Sequence, residues 1–126
     1  MPSFFIANAL VPAFCEEAIR SSYLFYLGDR GSRRNVVLSI GAVFVVGELI
    51  YDTVLLPGAI EELGFSIAFP IFIFAVFTGG LLHLGLTAWT AHRQASGVGA
   101  WRIFIMALMF HGTFNLGAIA AMERFL

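Results

Sequence analysis

Four stretches of this chain are almost free of charge, and short polar segments separate them. They run over about residues 3–27, 36–56, 65–91 and 103–122. Each is close to the roughly 20 apolar residues that a membrane-crossing helix needs. The segments between them are GDRGSRRN at 28–35, GAIEELG at 58–64 directly after Pro57, and HRQASGVGAWR at 92–102. Glycine, proline and clustered charge mark breaks in helical patterns. The pattern predicts an all-α fold, a polytopic transmembrane bundle of about four helices forming one membrane-embedded domain over residues 1–126.

Composition agrees with this reading. Sixty percent of the 126 residues are hydrophobic, only 12% are charged, and mean hydropathy is +0.90. Soluble domains are about 45–50% apolar and about 25% charged, and a small one needs polar residues to cover its large relative surface. A soluble globule and a disordered chain are both excluded on these grounds. Every basic residue is Arg and the net charge is −1, so there is no basic face for nucleic acid. The single cysteine, Cys15, permits no internal disulfide and no cysteine-rich metal knuckle. It reads as a small apolar residue. The first 27 residues do not read as a secretory signal, because Glu16, Glu17 and Arg20 stand where an apolar core belongs.

Charge alternates between the polar segments. Arg30, Arg33 and Arg34 lie in the first, Glu61 and Glu62 in the second, Arg93 and Arg102 in the third. The positive-inside tendency places the first and third segments in the cytoplasm and both termini outside. The expected location is an integral position in a membrane, with the lipid bilayer as the main partner.

Ionisable residues inside membrane spans are costly and face a bundle interior or a water-filled cavity. Each span has at least one: Glu16, Glu17 and Arg20 in the first, Glu48 and Asp52 in the second, His83 in the third, His111 in the fourth. Counted from the proposed cytoplasmic ends, Glu17, Glu48, His83 and His111 fall within about 12–18 Å of one boundary, at about 1.5 Å per residue. They form one layer, read as a single buried site. Spacing within the helices supports this. Arg20 is three after Glu17 and four after Glu16, within reach of both. The adjacent glutamates differ by about 100° of helix rotation, so one acts on water or substrate while the other pairs with Arg20. Tyr51 stands three after Glu48, where its phenol can orient the carboxylate. Thr87 and Asn115 stand four after His83 and His111.

Carboxylates and imidazoles in an apolar pocket are parts for hydrolysis: a carboxylate as general base, imidazoles to carry protons or stabilise an oxyanion. One Glu with two His is also a common catalytic zinc set with an open position for water. Glu48, His83 and His111 are the candidate ligands for one divalent ion, assembled from separate helices.

The motifs resemble those of the PrsW family of bacterial intramembrane proteases. Residues 15–20 contain E-E-x-x-R, residues 44–51 read F-x-x-x-E-x-x-Y, His83 begins H-x-x-x-T, and His111 begins H-x-x-x-N. That family carries E-E-x-x-K, then F-x-x-x-E with a following Tyr, then His motifs in later helices. It is grouped with the CAAX-processing and bacteriocin-processing (CPBP) proteases, which show E-E-x-x-x-R, F-x-x-x-H and H-x-x-x-N/D. Arg20 has the PrsW spacing, and position 48 is Glu rather than His. Arg20 in place of lysine and Leu49 where the family often has Asn are the departures. The resemblance covers about residues 10–117.

The resemblance implies cleavage of peptide bonds in a membrane-anchored protein substrate such as an anti-sigma factor, in a bacterial or archaeal cytoplasmic membrane. Glu16 and Glu17 match the paired glutamates, Arg20 the basic partner, Glu48 the second-helix acid, and His83 and His111 the later histidines. Asn115 matches the polar position that helps to bind an oxyanion. Substrate and water would reach the site through gaps between the helices or within a homo-oligomer. Two rival readings use the same residues. Buried Glu and His also relay protons in transporters and channels, and a non-catalytic scaffold would keep the bundle without chemistry.

Overall fold

The computed structural model describes residues 2–27 and 33–125. These form four α-helices and no strand: α1 (Pro2–Leu27), α2 (Arg33–Leu63), α3 (Phe65–Ala95) and α4 (Ala100–Phe125). Arg30, assigned above to the first polar segment, lies outside the described residues.

Two of the expected breaks are shorter than the sequence pattern implies. The helix of the second apolar stretch does not end at Pro57-Gly58. It continues through both residues to Leu63, and only Gly64 separates it from α3. Proline removes one backbone donor, but in an apolar setting unwinding would expose many more unsatisfied groups, so the helix persists. Gly64 makes the break because its φ of 79° is open to glycine and costly for other residues. Its N–H still bonds the Ile60 carbonyl at 2.9 Å, closing the helix end. The third polar segment likewise shrinks to residues 96–99. Ser96 N–H bonds the His92 carbonyl at 3.1 Å, and Gly97, at φ 77°, turns the chain into α4.

Three helices are long and apolar enough to cross a membrane: Arg34–Leu63, Phe65–Ala95 and Ala100–Ala121. α1 carries Glu16, Glu17 and Arg20 in its middle. Much of the outer surface is apolar. Val43, Val54, Phe74, Phe77 and Trp101 are all well exposed, a surface suited to lipid.

α2 packs along α3, and α1 along α4; contact between the two pairs is much thinner. Glycines permit the close approaches. A methyl group at Gly41 would lie 2.8 Å from Leu84 Cδ2, and one at Gly112 would lie 2.6 Å from Leu10 Cδ2. The two pairs meet in an apolar cluster of Leu24, Ile40 and Ala91, with Val36, Val37 and Phe44 against it. Next to it along the bundle lies a polar layer to which all four helices contribute.

Candidate functional site

The layer is built on Glu17 and Arg20. Both are 0% exposed, and they form an ion pair across one turn of α1. Two charges removed from water need partners on every side, and α3 and α4 supply them. Arg20 Nη2 donates to His83 Nδ1 of α3 at 2.6 Å. His111 Nδ1 of α4 lies 2.8 Å from Glu17 Oε1 and donates to that carboxylate. The two imidazoles meet edge to face, with ring centroids 5.2 Å apart. Both are nearly fully buried.

Glu16 and Glu48 are the open members, with side chains 29% and 32% exposed. Glu16 Oε2 lies 3.5 Å from His83 Nε2 and 3.7 Å from His111 Nε2. Both separations exceed a good hydrogen bond, and Oε2 has no hydrogen-bond partner. Glu48 Oε2 reaches His83 Nε2 at 3.3 Å. Gly79 makes room for it: a methyl group there would lie 3.1 Å from Glu48 Oε1. The adjacent glutamates therefore divide as their helical rotation predicts. Glu17 is tied to Arg20 and His111, while Glu16 faces both imidazoles with one oxygen unengaged.

Glu16, Glu17, Arg20, Glu48, His83 and His111 thus come together. Tyr51 and Asn115 do not join them. Tyr51 is 63% exposed on the outer face of α2 and makes no hydrogen bond to Glu48. Three-residue spacing permits such a bond, but the α2–α3 contact turns Glu48 inward and Tyr51 outward. Asn115 donates from Nδ2 to the Ala9 carbonyl at 3.2 Å, tying α4 to α1. Thr87 returns its hydroxyl to the His83 carbonyl at 2.7 Å. Cys15 is exposed rather than packed inside.

Phe44 is the residue whose role the pattern of charges did not reveal. Its ring stacks on His83 at 5.4 Å, and the Arg20 guanidinium carbon sits 4.5 Å from its centroid. The signal was its position four before Glu48, on the same face of α2.

The candidate metal set also changes. Among the described residues, the group whose ligand atoms all lie within 4.8 Å of one another is Glu16, His83 and His111, with Glu16 in place of Glu48. By distance this trio can hold a metal ion. A ligating neutral imidazole carries its proton on the other nitrogen, given to an acceptor. His111 meets this condition, because its Nδ1 faces the Glu17 carboxylate. His83 does not, because its Nδ1 faces Arg20, which has only donors. The trio offers two compatible zinc ligands and a third that the Arg20 contact opposes, so this donor set does not fit a three-ligand zinc site.

No protein-family model, curated protein or solved structure matches the chain.

Proposed function

We propose that this chain is an intramembrane endopeptidase of the PrsW type, acting on a membrane-anchored protein in a bacterial or archaeal cytoplasmic membrane, with Glu16 as general base. The observation that carries this reading is the Glu16 side chain, 29% exposed and with a buried Oε2 that has no hydrogen-bond partner, beside two buried imidazoles. The order of motifs along the chain supports it as well.

In this mechanism Glu16 takes a proton from water, and the resulting hydroxide oxygen attacks the scissile carbonyl carbon. His83 Nε2, beside Glu48 Oε2 at 3.3 Å, gives its hydrogen bond to the carbonyl oxygen instead as that oxygen gains negative charge. The C–N bond then breaks, and the proton held by Glu16 passes to the leaving amine. Glu17 keeps His111 oriented, and Arg20 offsets the charge of Glu17. No step requires a metal.

The test is cleavage of a tagged single-span substrate in membranes. Glu16→Gln is expected to lower it by about 10²–10⁴-fold, and His111→Ala to lower it strongly as well. Unchanged cleavage in both variants would overturn the reading.

A second reading rests on the run of neighbouring groups Glu48, His83, Glu16, His111 and Glu17, each within 3.7 Å of the next. Such a run also suits proton relay in a transporter or channel. It predicts ion flux in proteoliposomes that Glu48→Gln removes.

A further inference from the structure

We infer that the single ion pair Glu17–Arg20 sets the two histidines of the site in opposite tautomers, His83 as the Nε2–H form and His111 as the Nδ1–H form. The inference rests on the proposed peptidase only for what the protons do in the reaction; the tautomers themselves follow from the donors and acceptors.

Arg20 carries only N–H donors and does not lose its proton in proteins. Its Nη2 stands 2.6 Å from His83 Nδ1, so Nδ1 supplies a lone pair and the ring proton sits on Nε2. Glu17 Oε1 is ion-paired with Arg20 and accepts its N–H, so this oxygen has no proton to give. It stands 2.8 Å from His111 Nδ1, so Nδ1 carries a proton and, in the neutral ring, Nε2 keeps its lone pair. The acid of the pair fixes one imidazole and the base fixes the other.

Phe44 holds this arrangement in place. It lies under the guanidinium of Arg20 and stacks on the ring of His83, so donor and acceptor are restrained by one aromatic face. A guanidinium over an aromatic face is held more firmly than an ammonium on a flexible stem. Arg20 and Phe44 are therefore positioning residues.

The consequence lies at the opposite edges of the rings. Both Nε2 atoms face Glu16 Oε2, at 3.5 Å for His83 and 3.7 Å for His111. His83 presents a hydrogen, which Glu48 Oε2 also accepts at 3.3 Å, and His111 a lone pair. Glu16 Oε2, itself buried, therefore meets a donor from α3 and an acceptor from α4. Two identical tautomers would present the same group to it from both helices.

The test is ¹⁵N spectroscopy of the imidazoles in the full chain, labelled at histidine and held in lipid nanodiscs. His92 is exposed and is removed as His92→Gln to leave two rings. The expected spectrum has two distinct neutral imidazoles, one with its lone pair on Nδ1 and one with its lone pair on Nε2. Phe44→Leu is expected to turn the single His83 tautomer into an averaged signal while His111 keeps its own. Phe44→Trp is expected to restore both. Matching tautomers, or a proton on His83 Nδ1, in the otherwise unaltered chain would overturn the inference. That spectrum decides the matter even where Phe44→Leu does not fold. Because no substrate is involved, failure here is distinct from failure of the peptidase reading.

Discussion

The α1–α4 pair and the α2–α3 pair are built on different principles. α2 and α3 are apolar along most of their length and interlock through close approach, as at Gly41 against Leu84. Each is long and apolar enough to cross a membrane. α1 carries Glu16, Glu17 and Arg20 in its middle, and it is joined to α4 both by polar bonds, Glu17 to His111 and Asn115 to the Ala9 carbonyl, and by apolar contacts such as Phe14 on Phe104. The α2–α3 pair is a scaffold that tolerates change, because many small contacts share the load. The α1–α4 pair adds to such contacts a few buried polar groups, of which Glu17 and His111 also belong to the site. In an apolar medium, polar groups unite helices because each lost partner leaves an unsatisfied atom. The same property makes them sensitive to single substitutions.

The largest expected effect comes from cutting the polar pair at its centre. Glu17→Ala leaves Arg20 buried and without its carboxylate, and breaking such pairs costs about 3–5 kcal/mol. Thermal unfolding in detergent micelles should show a loss of that order; an unchanged midpoint would place the stability of α1 elsewhere. Glu16→Gln separates chemistry from architecture in the neighbouring residue. General bases contribute about 10²–10⁴-fold to rate, so substrate cleavage should fall by that factor while the unfolding midpoint stays put.

The apolar pair should respond more gently. Gly41→Ala places a methyl group against Leu84 Cδ2, the far end of a flexible side chain. Leu84 can rotate away, so the cost should be about 1 kcal/mol, at the low end for overpacking. A loss several times larger would show that this close approach is as critical as the ion pair. Asn115→Ala removes one interhelical hydrogen bond, worth about 0.6 kcal/mol on average in membrane bundles. The smallest effect belongs to Tyr51→Phe. Its phenol is exposed and does not touch Glu48, so stability should stay within about 0.5 kcal/mol and cleavage should be unchanged.

Much of this molecule is legible in the sequence because membrane helices leave strong one-dimensional signals. A run of apolar residues has one stable backbone solution in lipid, which explains why the four helices appear near their expected places. The same logic carries the helix past Pro57-Gly58, where local propensity taken alone predicts a stop. Depth along a helix is also countable, and Glu17, Glu48, His83 and His111 do meet in one layer. Direction around a helix relative to its neighbours is not countable. Tyr51 and Asn115 have the right spacing to support Glu48 and His111, yet Tyr51 turns outward and Asn115 binds the backbone of α1. Glu16 replaces Glu48 in the metal-spaced trio for the same reason.

The amino-acid sequence by itself determined that the chain is a helical bundle suited to a membrane, and which few ionisable residues lie at depth within it. Those properties depend on composition and on distance along a helix, which a linear string records. Only the tertiary structure decided which of two adjacent glutamates is buried in an ion pair and which is left open. It also placed Phe44 under Arg20 and turned an arginine toward one histidine and a carboxylate toward the other. These outcomes depend on how four helices rotate against each other, and that rotation is set by the summed packing of all their faces.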